Sequence, residues 1–145
     1  MFKKIVFATD GSDTADHALG FAQKLAAEGG GELLFVHCEE FTMPGKGGGR
    51  LPVAANEEDL LAKIERQVAE ASQQGVPARL QMEKASVGGA AHVIADAARN
   101  AQADAIVVGT RGHTPLAGLL VGSVTHRLLH ITPCPLFAVP ARAAQ

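Results

Sequence analysis

The sequence has neither tryptophan nor tyrosine, and it has only two cysteines. Cys38 and Cys134 are too few for a disulfide framework, and unpaired thiols are typical of a reducing compartment, so we expect a cytoplasmic protein. An excess of either charge is also missing, because 13 Lys and Arg stand against 15 Asp and Glu, for a formal net charge of −2. This balance argues against a general binder of nucleic acids or anionic membranes, which would carry a basic excess.

Long apolar runs are missing as well. No run reaches the ~18–20 residues that a membrane-spanning helix needs. The first run, Ile5–Ala8, follows a basic start, but it is too short for a signal peptide and leads directly into Thr9-Asp10-Gly11. We therefore expect no membrane segment and no secretory leader. The length of 145 residues predicts a single domain over residues 1–145.

Short apolar runs alternate with segments of helical periodicity along the chain. The predicted strands are Ile5–Ala8, Leu33–Val36, Ala78–Ala85, Ala105–Val108 and Leu136–Val139. Between them, apolar residues recur every three or four positions, as in amphipathic helices. Strands that alternate with helices predict an α/β fold, with a mostly parallel sheet and helices on both faces. Residues 39–55 interrupt this pattern, and their glycines predict irregular structure.

The third predicted strand differs from the others because its apolar residues alternate with polar ones. Leu80 and Met82 are expected on its covered face, with the polar residues on a wet face. This pattern fits a sheet edge and favours the strand order 3-2-1-4-5, a doubly wound, Rossmann-like sheet. Ligands of such sheets bind at the carboxyl ends of the strands where the order reverses. That switch point lies between strands 1 and 4, so we expect the site at residues 9–11 and 109–112.

Glycines mark the second half of this expected site. Gly109 and Gly112 are followed, after nine residues, by Gly122 and Ser123, where a helix is predicted to begin. Glycines allow backbone N–H groups to approach an anion closely, and a helix N-terminus adds unpaired donors and partial positive charge. Arg111 lies between the first two glycines as an available cation. The spacing predicts a phosphate site; alternatively, the glycines serve only as turn and helix-cap residues.

The chain resembles the universal stress protein family, in particular its nucleotide-binding branch. The resemblance rests on the glycine pattern, on the strand and aspartate of residues 5–12, and on residues 103–109 and 133–140. It covers essentially the whole chain. It implies a Rossmann-like fold related to the adenine nucleotide alpha hydrolases, and a protein that binds ATP, together with Mg²⁺ or Mn²⁺. It also implies a nucleotide-dependent regulator or sensor of the stress response.

The resemblance also implies a role for individual positions. The implied nucleotide-contacting residues are Ala8, Thr9, Asp10, Val36, Gly109, Arg111, Gly112, Gly122, Ser123, Val124 and Thr125. Val36 would meet the adenine edge through its backbone, and Gly122 and Ser123 would hold the phosphates. Asp10 would lie by the ribose and phosphates and offer its carboxylate to Mg²⁺, which favours phosphate oxygens plus a carboxylate. The alternative for Asp10 is a turn residue ahead of a helix.

Several other features leave alternatives open. The glycine-rich stretch Gly45–Arg50 either folds over the nucleotide, bringing Lys46 or Arg50 to the phosphates, or is a surface loop; it is not a Walker A sequence. His126 and His130, four residues apart, are expected to be a solvated or dimer-facing pair rather than a metal site. Cys38 is expected to be a buried thiol at a strand end rather than a redox site.

The last predicted strand is apolar throughout and yet lies at a sheet edge. Such an edge is a template for pairing with another chain. We therefore expect a two-fold homodimer in which this strand pairs antiparallel with its copy, as the resemblance also implies. The residues concerned are Leu136, Phe137, Ala138 and Val139.

The sequence favours binding over turnover. No positioned base, arginine finger or acidic cluster for two metals is evident, and fast phosphoryl transfer needs such groups. His37 and His113 have no nucleophile to which the sequence pairs them. Two alternatives stay open: a slow ATPase or nucleotidyl-transfer enzyme that uses the same site, and a nucleotide-free dimeric interaction module.

Overall fold

The computed structural model describes residues 2–42, 51–52, 56–110 and 122–141. The strands are β1 Lys4–Ala8, β2 Glu32–Thr42, β3 Leu51–Pro52, β4 Ala78–Ser86, β5 Ala105–Gly109 and β6 Leu136–Val139. The helices are α1 Asp13–Gly29, α2 Glu57–Gln73, α3 Ala90–Asn100 and α4 Ser123–Ile131. Among the described residues, no helix is both long and apolar enough to cross a membrane.

Five of these strands form a parallel sheet in the order β4-β2-β1-β5-β6. This confirms the predicted order 3-2-1-4-5. β1 lies at the centre, where Ala8 is in register with Val36 of β2 on one side and with Val108 of β5 on the other. The chain runs outward from β1 to β4, then returns to β5 on the opposite side. The switch point is therefore at the carboxyl ends of β1 and β5, as predicted.

Helices cover both faces of the sheet, and each face has its own core. α1 and α2 pack on the face that includes Phe7 and Phe35, whose rings meet edge to face with centroids 5.3 Å apart. α3 and α4 pack on the face that includes Val6 and Val108, and Leu128 of α4 is buried in this second core. Because β1 and β5 are covered on both sides, their residues are nearly all apolar, which is the pattern from which the sequence predicted them.

The prediction of irregular structure over residues 39–55 was wrong at both ends of that stretch. β2 continues to Thr42, because it pairs with β4 along its length, up to Phe41 opposite Ser86. Near the other end of the stretch, Leu51–Pro52 pairs antiparallel with Phe41 and Thr42. β4 pairs with one edge of β2, and β1 pairs with the opposite edge. β3 pairs with the same edge as β1, at Phe41 and Thr42, beyond the carboxyl end of β1. Gly45–Arg50 itself lies outside the described residues.

The edge strand β4 agrees only in part with its predicted pattern. Leu80 packs against the core, as expected. Met82 was predicted on the covered face, but 41% of its surface is exposed. Gln81 and Glu83 are instead half-buried, and the Gln81 Nε2 donates to Glu83 Oε1 over 2.8 Å. At this part of the edge strand, the more buried face therefore carries a hydrogen-bonded polar pair instead of the apolar residues that the sequence predicted there.

Candidate functional site

Thr9, the first residue of the loop after β1, is held by three hydrogen bonds. The Thr9 N–H donates to the Val36 carbonyl over 3.0 Å, and the Thr9 hydroxyl accepts from the Gly11 N–H over 3.0 Å. The Thr9 carbonyl lies 2.9 Å from Nδ1 of His37, which is buried in β2. Thr9 is only 7% exposed. The first residue of the predicted site is therefore fixed to β2 on its backbone and to its own loop on its side chain.

The rest of this loop turns the chain from β1 into α1. Gly11 has φ +78°, and a Cβ added there would lie 2.8 Å from Cδ2 of Leu60, so this turn requires glycine. The Asp10 carboxylate accepts from the Ser12 N–H over 2.9 Å. Ser12 is the N-cap of α1, and its hydroxyl accepts from the Ala15 N–H over 3.3 Å.

The end of β5 lies directly against the first turn of α1. A Cβ added to Gly109 would be 3.2 Å from Cγ2 of Thr14 and 3.4 Å from the Thr14 carbonyl oxygen. Glycine at this position thus allows α1 to approach β5 closely. This packing role is separate from the contact with ribose and phosphate that the resemblance implies for Gly109.

The start of α4 is tied back to the end of β5. The Gly122 N–H donates to the Thr110 carbonyl. The Thr125 hydroxyl donates to the Gly109 carbonyl over 2.7 Å, and Thr125 is only 3% exposed. The strand end and the helix start are therefore held side by side, and Thr125 acts on the site through the backbone of Gly109.

The N-terminus of α4 has no side-chain cap. Its N-cap residue Gly122 is extended, with φ −67° and ψ 161°, and makes no capping hydrogen bond through a side chain. The N–H groups of the first turn, including those of Ser123 and Val124, have no acceptor within the helix. They carry the partial positive charge of the helix dipole. The donor set therefore suits an anion such as a phosphate.

The structure brings most of the predicted residues to one end of the sheet. Ala8, Thr9 and Asp10 lie at the end of β1, Gly109 ends β5 beside them, and residues 122–125 begin α4. Val36 is adjacent in β2, and its carbonyl already accepts the Thr9 N–H. The other two predicted residues, Arg111 and Gly112, lie outside the described residues. Contact of any of these residues with a nucleotide stays a prediction.

The carboxyl half of β2 carries negative charge. Cys38 lies within this strand and is half-buried, so its predicted place at a strand end was wrong, because β2 extends further than its apolar run. Burial, followed by nearby carboxylates, raises the pKa of the Cys38 thiol to about 11. The carboxylates, in order of effect, belong to Glu40, Glu83, Glu39 and Glu57. This side of the site disfavours anions.

No metal cluster is found within residues 2–42, 56–110 and 122–141, where no group of three or more His, Cys, Asp or Glu side chains could hold an ion. His126 and His130 lie on the exposed side of α4 with ring centroids 5.4 Å apart, which agrees with a solvated pair. A phosphate-bound Mg²⁺ needs fewer protein ligands, because it keeps several waters. Asp10, half-buried at the switch point, fits that requirement, and its metal role stays a prediction.

Four residues of α2 that the sequence did not assign to the site contact the β1–α1 region or His37 of β2, which supports it. Glu57 Oε1 lies 2.5 Å from Nε2 of His37, and Lys63 Nζ donates to the Gly11 carbonyl over 2.9 Å. Leu60 packs against Gly11, and Gln67 donates to Asp16 over 2.8 Å. Their partners are 20 to 52 positions away in the sequence, so no local pattern could have paired them.

Comparison with known proteins agrees with this architecture. A profile of the Universal stress protein family matches residues 1–140. The chain belongs to the universal stress protein family. It is 34% identical over 141 residues to a universal stress protein of Thermus aquaticus, covering 96% of this chain and 99% of that one. It is 30% identical over 143 residues to one of Methanocaldococcus jannaschii, covering 96% and 82% of the two chains.

Solved structures share the fold of this universal stress protein. Hypothetical protein MJ0577 superposes with a TM-score of 0.79 at 21% identity, over 99% of both chains. The universal stress protein from Archaeoglobus fulgidus in complex with dAMP gives 0.68 at 24% identity, over 94% of this chain and 97% of that one. A universal stress protein in complex with cAMP gives 0.64 at 22% identity, over 95% and 96%.

Proposed function

We propose that this universal stress protein binds an adenine nucleotide, ATP with Mg²⁺, at the switch point and acts as a nucleotide-dependent regulator or sensor in the cytoplasm. The observation that carries the proposal is the convergence, beside Gly109, of the β1–α1 loop and the uncapped N-terminus of α4. The ligand class is suggested by two structural neighbours, which are complexes with dAMP and cAMP.

The phosphates are proposed to bind at α4. The N–H groups of Ser123 and Val124 are in the first helical turn, and the extended Gly122 before them presents no side chain to an incoming anion. Helix N-termini stabilise negative charge by about 0.3–1 kcal/mol at exposed sites and by more in partly buried ones. Several such donors together can hold a phosphate without an excess of basic residues, which is consistent with the net charge of −2.

The nucleotide is proposed to lie with its base toward β2. The carboxylates that raise the pKa of Cys38 make the carboxyl half of β2 unfavourable for phosphates. The N-terminus of α4, on the other side of β1, is favourable for them. The two ends of the site thus differ in sign, and this polarity supports adenine near Val36 and phosphates near Ser123.

We propose that the role is regulatory rather than catalytic. Rapid phosphoryl transfer needs charged groups positioned around the transferred phosphate. The part of the site that the structure describes offers the Asp10 carboxylate and backbone donors, which suit binding. Mg²⁺, when bound, would neutralise phosphate charge, and Asp10 would be its protein ligand. A slow ATPase at the same site would instead hydrolyse ATP steadily and lose this activity on Asp10→Ala.

The partner of this protein is proposed to be a second copy of the chain, paired through β6. Half of this edge strand's backbone groups face away from β5, and Ala138 is exposed. Exposed apolar side chains lie on the flanking helices, Phe21 on α1 and Leu129 on α4, at 37% and 54% exposure. Pairing two such edges would cover this apolar surface and complete the hydrogen bonds of both strands.

Calorimetric titration of a glycine variant tests the phosphate placement. Gly122→Val adds a branched side chain at the start of α4, in a backbone conformation that any residue adopts, so the fold should persist. We expect ATP affinity to fall by at least tenfold. Gly20→Val, in α1, is the matched control because a Cβ there meets nothing within 4 Å. Unchanged ATP affinity in Gly122→Val would contradict the placement.

A further inference from the structure

We propose that helix α2 positions the nucleotide-binding loop, so that docking of the start of α2 and nucleotide binding favour each other. The inference rests on the proposed nucleotide site and names its regulation. The contacts are made by residues that we call the α2 clamp. These are Glu57, Leu60, Lys63 and Gln67.

The α2 clamp lies along one side of the helix. Its members are spaced by three, three and four residues, which is the spacing of one helical face. Lys63 Nζ contacts both the Gly11 carbonyl, over 2.9 Å, and the Asp16 carboxylate, over 2.8 Å. Gln67 donates to the other carboxylate oxygen of Asp16, over 2.8 Å. The clamp therefore holds both the turn after β1 and the first part of α1.

A second part of the clamp runs from Glu57 through His37 to Thr9. The Thr9 carbonyl can only accept, so Nδ1 of His37, 2.9 Å away, carries a proton. The other ring nitrogen lies 2.5 Å from the Glu57 carboxylate, within hydrogen-bond distance. His37 is 2% exposed, so losing either partner would leave a buried polar group unsatisfied. The orientation of the Thr9 carbonyl thus depends on Glu57.

The first turn of α2 depends on the same contacts. Its N-cap residue, Asn56, makes no side-chain hydrogen bond to the helix, and Glu58 and Asp59 in that turn are exposed. Glu57 and Leu60 fix this turn to the rest of the molecule. Helix ends with few buried contacts open most easily. The first turn of α2 can thus dock or release, and release would remove the support of Thr9 and Gly11.

The coupling must be reciprocal. If docking of α2 raises nucleotide affinity by some factor, nucleotide must stabilise the docked state by the same factor. A residue that served the fold alone would not produce this second effect. Nucleotide binding should accordingly slow amide hydrogen exchange in the first turns of α2, although these turns lie outside the proposed nucleotide contacts.

The first test measures ATP affinity by calorimetry in matched variants. Glu57→Ala should bind ATP about tenfold more weakly, within the usual range of such couplings. Glu58→Ala removes the same charge from the same turn, but from an exposed side chain, and should bind within twofold of the unmodified protein. Glu57→Gln should recover most of the affinity, because an amide can donate to or accept from the His37 ring. If Glu57→Ala does not fold, Lys63→Met provides the same comparison.

The second test measures hydrogen exchange of the amides of residues 60–64 with and without ATP. We expect ATP to slow exchange in the unmodified protein and in Glu58→Ala, and to have little effect in Glu57→Ala. Equal ATP affinity in Glu57→Ala and Glu58→Ala, or no slowing in a protein that binds ATP, would overturn the coupling and leave the proposed function intact. Failure of the unmodified protein to bind ATP would overturn both.

Discussion

The ring of His37 donates from Nδ1 to the carbonyl of Thr9 across 2.9 Å, which joins β2 to the loop that follows β1. This bond lies just beyond the point where the two strands stop pairing, at Ala8 opposite Val36. A side chain thus continues the sheet's hydrogen bonding into the loop that we propose to bind nucleotide. The loop is thereby a fixed part of the scaffold, and its geometry can be tested by substitution.

The turn at Gly11 should be intolerant of any side chain. We expect Gly11→Ala to lower the free energy of unfolding by about 2–3 kcal/mol, from left-handed backbone strain and collision with Leu60. Gly75→Ala is the control, because Gly75 also has a positive φ, +92°, but the new Cβ would meet nothing within 4 Å. It should lose only about 1–2 kcal/mol. Urea denaturation measures both, and equal losses would show that Leu60 does not confine this turn.

The buried hydroxyl of Thr125 should contribute to both stability and binding. Thr125→Val keeps the shape but leaves the Gly109 carbonyl without its donor, which costs about 1–3 kcal/mol. Because this bond holds α4 beside β5, ATP affinity should fall as well. Thr125→Ser retains the hydroxyl and should preserve the affinity. Denaturation and calorimetry on the two variants give the comparison, and identical behaviour of Val and Ser substitutions would refute the role.

The Cys38 thiol should react slowly at neutral pH. Burial and the surrounding carboxylates place its pKa at about 11, so the thiol is neutral at pH 7 and becomes the reactive thiolate only as the pH rises. In a Cys134→Ser background, the rate of alkylation should rise roughly tenfold per pH unit from pH 7 to 10. Glu40→Gln removes a carboxylate that raises the pKa, and should speed the reaction. A plateau near pH 9 would contradict the negative field at β2.

The β6 edge should be sensitive to proline at a single position. The carbonyls of Pro135 and Val139 face β5, where they accept from Ile106 and Thr110. Because backbone direction alternates, the N–H of Ala138 faces away from the sheet. Ala138→Pro should therefore spare the β5–β6 ladder but weaken an antiparallel dimer, whereas Ala138→Val should not. Analytical ultracentrifugation at micromolar concentration reports the outcome. A monomer before any substitution would refute the dimer.

Most of the fold could be predicted because its strands are buried on both faces. The runs Ile5–Ala8 and Ala105–Val108 are continuously apolar for that reason, and their order fixes the switch point. The half-exposed edge was harder to predict, because Met82 is exposed while Gln81 and Glu83 are half-buried and hydrogen-bonded to each other. The extension of β2 to Thr42 depends on pairing with β4, which is not encoded in the residues of β2 alone.

The location of the candidate site could be predicted where it follows from the strand order and from the start of a helix, as at residues 9–11 and 122–123; nucleotide contact there stays a prediction. It could not be predicted where distant side chains meet. The contact between His37 and Glu57 joins a strand to a helix 20 positions later, and neither residue's neighbours indicate it. Such supports arise only when the helices dock on the sheet.

Equilibrium dialysis of the purified protein against ATP and Mg²⁺ tests the central claim most directly, with ADP, AMP and cAMP as comparison ligands. The missing tryptophan removes the usual intrinsic fluorescence signal, so direct retention is the appropriate measurement. We predict saturable retention of ATP that approaches one nucleotide per chain and is lost in Gly122→Val but kept in Gly20→Val. No retention of any of these nucleotides at millimolar concentration would contradict the account.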